Sequence, residues 1–365
     1  MGEVLGIGMP HGPHPGLTDE TMANNYFRVN LRSDKTPDHW KDMANWPQEM
    51  RDEWGEDEGV TAARRHREET VKGFRAARRA VDEFNPDFVL VFGDDQYENF
   101  HEDVIPPFCV YGCEEMALNR PRTSDRYRSN HGGVNVGTRL ERPPLQDTAR
   151  GSQKIGTWLA NELTRSGFDV ACSWKMHHAA SLGHAFARTV DYLDWDRNGW
   201  PYTFVPFHVN SYGRDLSVPL PDGSTELGRV AEREVHPPDC APPWRCYDLG
   251  RAVAECIERS PYRAVVIGSS SWSHASLTPM HGHLWGDVEK DKRHFEDLKA
   301  GRLKGWRDFD PEQIRASGQH EVLNWVCLAG AMESRVPEIA AWAPSYIFNS
   351  SKCVAIFRPE AARVG

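Results

Sequence analysis

The sequence lacks several features that would assign a protein class at once. Its 365 residues contain no run of about 18 apolar residues, so no segment is predicted to span a membrane. Lysine and arginine number 43 against 53 aspartate and glutamate, a balance that argues against a general nucleic-acid binder. We find no internal repeat and no low-complexity linker. What is present is a hydrophobic content of 39%, enough for a sizeable core.

The eight cysteines are scattered, and no two of them form a CxxC pair. A structural zinc knuckle is therefore not expected. Unpaired cysteines, together with an N-terminus that lacks a basic region followed by a long apolar stretch, favour a reduced, cytoplasmic protein. Several of the 16 histidines stand beside glycine or proline rather than on a helical face, which is the first sign of a metal or acid–base site.

Short apolar segments alternate with helical ones along the chain. The run 88–92 is typical of a buried parallel strand, and apolar residues at three- and four-residue steps predict a helix over 60–84. We therefore predict a single α/β domain over 1–365, with a central, mostly parallel or mixed sheet flanked by helices. Residues 17–58 are polar and contain three tryptophans, so we predict a helical or irregular insertion there, with a lid as one role.

Ligand-type side chains follow four of the predicted strands. They are His11, the group Asp94, Asp95 and Gln96, the histidines His177, His178 and His184, and His274. Loops at the carboxyl ends of parallel strands converge, so we expect these groups to lie together. Glu321, at the start of an apolar helix, is a fifth candidate. Each has a structural explanation when taken singly, as a hydrogen-bonded histidine, a helix cap or a charge at a helix start. Their repetition at strand ends favours a functional site.

Two histidines and a carboxylate on one face of a metal leave positions for a substrate and dioxygen, as in non-haem Fe(II) oxygenases. Water-activating zinc chemistry uses similar residues. The residue types alone therefore leave a metal-dependent hydrolase on the same scaffold as an alternative.

In order and spacing, several segments resemble the class III extradiol ring-cleavage dioxygenases, the family that contains the β subunit of protocatechuate 4,5-dioxygenase. The segments are 6–13 (GIGMPHGP), 88–108 (FVLVFGDDQYENFHEDVIPPF), 243–250 (PWRCYDLG), 265–274 (VVIGSSSWSH), 317–331 (SGQHEVLNWVCLAGA) and 347–359. The resemblance spans most of the chain outside 17–58. It implies an Fe(II)-dependent enzyme that opens the ring of a catechol- or gallate-type aromatic with O2.

The resemblance also implies roles for single residues. His11 and Glu321 would be metal ligands, and His274 would move a proton to and from the substrate. A further active-site histidine falls on His184, with His178 as the competing match. The partners would be a small aromatic diol and O2, and a homodimer or higher oligomer is expected by the same analogy.

Gln96 departs from the family pattern, because GDDQ stands where a histidine ligand is usual. A glutamine oxygen coordinates a hard cation but is a weaker ligand for Fe(II) than imidazole. Four interpretations stay open: Gln96 ligates weakly, His101 turns inward, the metal differs, or the chain is a non-catalytic binding or partner subunit. The GDDQ loop is similar to the corresponding loop in the branch of the family that resembles 3-O-methylgallate dioxygenases. This similarity favours the first two interpretations, weak ligation by Gln96 or an inward-turned His101.

Four of the arginines in the segment 117–150 lie close together in the sequence, at positions 120, 122, 126 and 128. A gallate-type substrate carries a carboxylate that needs a basic partner. Such a run of arginines is, however, typical of a solvated surface, so the sequence indicates no anchor for that carboxylate.

Overall fold

The computed structural model describes residues 2–24, 26–33, 36–101, 103–118, 139–215, 218–219, 225–226, 237–333 and 335–359. The arginines at 120–128 lie outside these ranges.

The strands are β1 (Glu3–Met9), β2 (Phe88–Gly93), β3 (Phe108–Tyr111), β4 (Glu115–Ala117), β5 (Thr148–Arg150), β6 (Ala171–Ser173), β7 (Phe204–Val209), β8 (Val218–Pro219), β9 (Thr225–Glu226), β10 (Arg263–Ser269), β11 (Glu338–Ala343) and β12 (Lys352–Phe357). The α-helices are α1 (Asp19–Asn24), α2 (Tyr26–Leu31), α3 (Asp38–Lys41), α4 (Gln48–Trp54), α5 (Val60–Phe84), α6 (Gln153–Arg165), α7 (His184–Leu193), α8 (Pro243–Glu258), α9 (Val288–Lys299), α10 (Pro311–Ala316) and α11 (Val322–Met332). Within the described ranges, none of these helices is long and apolar enough to cross a membrane.

Eight strands form the main sheet, in the order β11-β12-β1-β10-β2-β7-β3-β6. The four central strands β1, β10, β2 and β7 run parallel to one another. β12 is antiparallel to β1, and β3 is antiparallel to β7, so the sheet is mixed. The predicted single α/β domain with a mixed sheet flanked by helices is confirmed.

Helices cover both faces of the sheet. The central strand β2 is apolar at every position because its side chains enter a core on each face. Leu90 and Phe92 point into a core that includes residues of α6, α8 and α11. Val89 and Val91 point into a second core that includes residues of α5 and α7. Successive side chains of a strand face opposite sides, so a strand covered on both sides needs an unbroken apolar run.

Residues 17–58 are largely helical, with α1 to α4 in this segment. Trp46 and Trp54 are buried, and each ring lies edge-on to Phe27, at 5.3 and 5.1 Å between centroids. These side chains form a small third core together with Trp285 and Phe348. Packing of the segment on the domain therefore accounts for Trp46 and Trp54 without a role in covering a substrate.

Helices α8 and α11 approach each other backbone to backbone. A Cβ atom on Gly250 would lie 1.8 Å from the carbonyl oxygen of Cys327, and one on Gly330 would lie 1.9 Å from that of Tyr247. No side chain fits at either distance, so glycine is required for this spacing. α11 begins directly after Glu321, so the contact between the two helices sets where that carboxylate enters the site.

Candidate metal centre

The four parallel strands end at one edge of the sheet, and polar side chains gather there. Asp94 follows β2 directly, His11 follows β1 by two residues, and Tyr212 follows β7 by three. His274 lies in the loop after β10, and Glu321 comes from the start of α11. All five are less than a tenth exposed, so the cluster is closed off from bulk water.

The ring of His11 is fixed in one orientation by a hydrogen bond of its Nδ1 atom. Its Nδ1 lies 2.9 Å from the carbonyl oxygen of Ser269. A carbonyl only accepts, so Nδ1 carries the hydrogen and donates it. Nε2 is then left with a lone pair, and it faces Oε2 of Glu321 at 3.3 Å. A histidine held by its Nδ1–H in this way is the form that binds a metal through Nε2.

Two further histidines follow the same pattern. Nδ1 of His274 lies 3.1 Å from the carbonyl oxygen of Trp272, and its Nε2 lies 3.6 Å from Oε2 of Glu321. Nδ1 of His184 lies 3.0 Å from a carboxylate oxygen of Glu98. In each case the acceptor draws the hydrogen to Nδ1 and leaves Nε2 as an acceptor.

The two oxygens of Glu321 have different surroundings. Oε1 accepts hydrogen bonds from the hydroxyl of Tyr212 at 2.6 Å and from Nε2 of Gln96 at 3.0 Å. Oε2 accepts no hydrogen bond from the described residues, and it faces the Nε2 atoms of His11 and His274. Acceptors that face one another in a buried site require a cation or a shared proton between them. The imidazole of His11 and the carboxylate of Glu321 are ligand types that fit a transition metal.

The charges of the cluster shift its pKa values in opposite directions. Burial raises the pKa of Asp94, and the nearby charge of Glu321 raises it further. For Glu321 burial acts the same way, but His274 and His11 outweigh it and hold its pKa well below the usual range. Burial lowers the pKa of His274, which favours the neutral imidazole. The lowered pKa of Glu321 favours its ionised form, so the site holds a buried carboxylate charge.

Asp94 belongs to a second group of possible metal ligands. Single ligand atoms of His11, Asp94 and His184 all lie within 4.8 Å of one another. Oδ1 of Asp94 lies 3.8 Å from Nε2 of His11 and accepts a hydrogen bond from Nδ2 of Asn324 at 3.0 Å. The neighbouring Asp95 has a structural role instead, because it accepts three backbone hydrogen bonds from residues 98–100 and so holds the loop after β2.

The amide of Gln96 lies at the centre of the cluster. Its Nε2 is 2.8 Å from the Tyr212 hydroxyl and 3.0 Å from Oε1 of Glu321, with longer contacts of 3.4 Å to Asp94 and His184. In this orientation Gln96 presents a donor. It binds a cation only if the amide turns over and presents its oxygen.

The other histidines considered from the sequence lie elsewhere. The ring of His101 stacks on Tyr97 and on His178, at 4.2 and 4.1 Å between centroids. Nε2 of His178 lies 2.9 Å from Asp103. β6, which precedes His178, runs opposite to the four central strands, because β3 and β6 are parallel and β3 is antiparallel to β7. The expectation that all four strand ends meet at one edge is therefore wrong for β6, and His184 reaches the cluster through the connection 174–183.

Sequence reasoning missed two polar residues of the cluster. Tyr212 follows β7, so the strand-end rule used for the other loops would have found it. Asn324 lies three residues after Glu321, and this spacing places both on the same side of α11. Asn324 also donates to the carbonyl oxygen of Ser269 at 3.1 Å, so it ties Asp94 to the loop that holds His11.

One part of the chain matches a known protein family. Residues 239–352 match the profile described as the catalytic LigB subunit of aromatic ring-opening dioxygenase. This range contains His274 and Glu321, whereas His11 and Gln96 lie before it.

Curated relatives are similar over more of the chain. A 2,3-dihydroxyphenylpropionate/2,3-dihydroxicinnamic acid 1,2-dioxygenase of Comamonas testosteroni is 27% identical over 247 residues, which are 68% of this chain and 60% of that protein. A second enzyme of this name from Pseudomonas putida is 29% identical over 257 residues, 70% of this chain and 62% of that protein. The chain thus spans less than two thirds of the length of these relatives. A solved structure of an uncharacterized Escherichia coli K12 protein superposes with a TM-score of 0.44 at 10% identity, covering 79% of this chain and 92% of that one.

Proposed function

We propose that this protein opens the ring of a catechol- or gallate-type aromatic with O2. The proposal rests first on its LigB domain and on its similarity to class III extradiol ring-cleavage dioxygenases. One observation carries the proposal. The Nε2 atoms of His11 and His274 face an oxygen of Glu321 that accepts no hydrogen bond from the part of the chain that the structure describes. The relatives reported above are named for 2,3-dihydroxyphenylpropionate, so the 3-O-methylgallate branch stays a prediction, as do the cytoplasmic location and the oligomer.

The metal in this proposal is Fe(II), held by His11 and Glu321 with a third ligand at position 96. When bound, Fe(II) would supply a Lewis acid that holds the diol and dioxygen in contact. Asp94 and His184 are the alternative source of the third ligand, because their ligand atoms lie within 4.8 Å of that of His11.

In this proposal, His274 is the acid–base residue. Its Nδ1 donates to the Trp272 carbonyl, so Nε2 is free to take a proton from a phenolic hydroxyl and to return it later. Asp291 fixes the loop, because its two oxygens accept from the backbone N–H and the hydroxyl of Ser273, at 3.0 and 2.7 Å. His274 is thereby held next to Glu321 without contacting Asp291 itself.

The experiment that tests the function is anaerobic loading with Fe(II), followed by oxygen uptake with catechol, protocatechuate and gallate. We expect one O2 consumed per diol, with the absorbance of a ring-opened product. A metal-dependent hydrolase would consume no O2. A non-catalytic subunit would leave all three compounds intact, and either result would overturn the proposal.

Gln96→His is expected to tighten Fe(II) binding by about tenfold if position 96 is a ligand, because imidazole is the better ligand for Fe(II). Titration of the metal-free protein with Fe(II) under argon measures the change. His101→Gln is the control and should leave the affinity unchanged. If Gln96→His weakens binding while Asp94→Asn and His184→Gln also weaken it, the ligands are instead His11, Asp94 and His184.

A further inference from the structure

Lys352 is a buried lysine with little to hold its charge. It is the first residue of β12 and only 1% exposed. Its Nζ donates to the carbonyl oxygen of Ser350 at 2.8 Å and to the hydroxyl of the same residue. Both acceptors come from two positions away in the chain. Among the described residues no carboxylate forms an ion pair with it, so one of its three N–H groups has no acceptor there.

Lys352 lies beside the loop that carries His11. β12 is antiparallel to β1 with Gly8 opposite Ala355, and continuing this register brings Lys352 level with His11. The side chain bears this out, because a Cβ on Gly12 would lie 3.7 Å from Nζ. The same point lies 3.9 Å from Nδ1 of His14, which is also buried.

The electrostatic surroundings connect this lysine to the metal centre. Burial lowers the pKa of Lys352 to about 7, against the opposing effect of Glu321 and Asp291. The pKa of His274 is lowered mainly by burial and raised by the charge of Glu321. The charge of Lys352 is the next influence, and it lowers the pKa of His274. Lys352 is therefore within electrostatic range of both a proposed ligand and the proposed acid–base residue.

A buried ammonium without an anionic partner is costly for the fold. Removing its charge from water destabilises the folded state, and an apolar side chain of similar volume is usually neutral or stabilising in its place. In the proposed holoenzyme the charge of Glu321 is directed at the metal, so it is not available to neutralise Lys352. An anion that arrives from outside the chain would supply the missing partner.

We propose that the ammonium group of Lys352 binds an anionic oxygen of the aromatic substrate, and so selects ionised diols for the site. The inference rests on the proposed function. The oxygen has two sources, a phenolate of the diol or a carboxylate on the ring. The second source would provide the basic partner that the sequence alone did not locate.

The test is anaerobic binding of two diols to the Fe(II)-loaded Lys352→Met variant. 4-Nitrocatechol carries no carboxylate and reports its own ionisation through its visible spectrum, whereas protocatechuate carries a ring carboxylate. Loss of a charge-assisted hydrogen bond is expected to weaken binding about 10- to 100-fold. Weaker binding of both diols, with bound 4-nitrocatechol less ionised, assigns the phenolate. Weaker binding of protocatechuate alone assigns the carboxylate.

The control is Lys290→Met, which removes a half-buried lysine that contacts the Ser317 hydroxyl at 3.4 Å. Both variants should keep the native content of Fe(II), and Lys352→Met should melt no lower than the native protein because it removes a buried charge. If the native protein binds the diols and Lys352→Met binds them equally well, the role of Lys352 is wrong and the proposed function stands. If the native protein binds neither diol, both proposals fall.

Discussion

Glu321→Gln is expected to lower the affinity for Fe(II) by at least about 100-fold while the protein stays folded. The substitution keeps an acceptor for the Tyr212 hydroxyl, which now bonds Oε1 at 2.6 Å. It replaces the negative oxygen that faces His11 and His274 with a neutral group. Loss of an outer partner of a metal ligand already costs 10- to 100-fold in affinity, so loss of the charged ligand should cost more. Iron content after anaerobic loading and gel filtration measures the effect.

Glu68→Gln is the matched control, since Glu68 is exposed on α5. It should retain iron as the native protein does. The melting temperature separates a lost ligand from a lost fold. A folded Glu321→Gln protein that held one equivalent of iron as tightly as the native protein would show that the metal is bound elsewhere, and the proposed site would be wrong.

His274→Gln is expected to lower kcat for ring opening by about 10²- to 10⁴-fold, the usual contribution of a positioned acid–base group. Iron binding should be unchanged, because His11 and Glu321 are retained. Anaerobic binding of 4-nitrocatechol should also persist, since His274 is proposed to move a proton rather than to hold the substrate. Oxygen uptake under saturating diol measures kcat, and the two binding assays separate chemistry from assembly.

His178→Gln serves as the comparison for that experiment. His178 is the alternative match for the further active-site histidine, but its Nε2 is engaged with Asp103 at 2.9 Å. We expect native turnover from this variant. Full ring-opening activity in His274→Gln would remove the acid–base assignment, and a large loss in His178→Gln would return the second active-site histidine to position 178.

Local patterns in the sequence were sufficient for much of the fold. The apolar spacing over 60–84 corresponds to α5, and the strand predicted at 88–92 corresponds to β2 with one more residue. Asn85 ends α5 in the left-handed conformation that asparagine tolerates, so the end of the helix was encoded locally. The directions of β3 and β6 were not encoded locally, because the direction of a strand depends on its pairing with residues far apart in the chain.

The sequence likewise indicated some residues of the candidate site and not others. His11, His274 and Glu321 stand in segments that resemble a known family, and the structure brings their side chains together. Tyr212 was missed although it follows a predicted strand. Lys352 lies in a segment that resembles the family, but its position beside the His11 loop arises only when the distant strands β1 and β12 align. The orientation of the Gln96 amide was beyond sequence reasoning for another reason, because it depends on which neighbours donate and which accept.

The paired glycines of α8 and α11 have a consequence for how this protein tolerates change. Gly250 and Gly330 let the two backbones touch, and the second helix carries Glu321 at its first turn. A single methyl group at either glycine would push that helix outward and draw the carboxylate away from His11. The geometry of the candidate metal centre therefore depends on two positions that contribute no functional group to it. A substitution at either position would disturb the site without changing any residue that lines it.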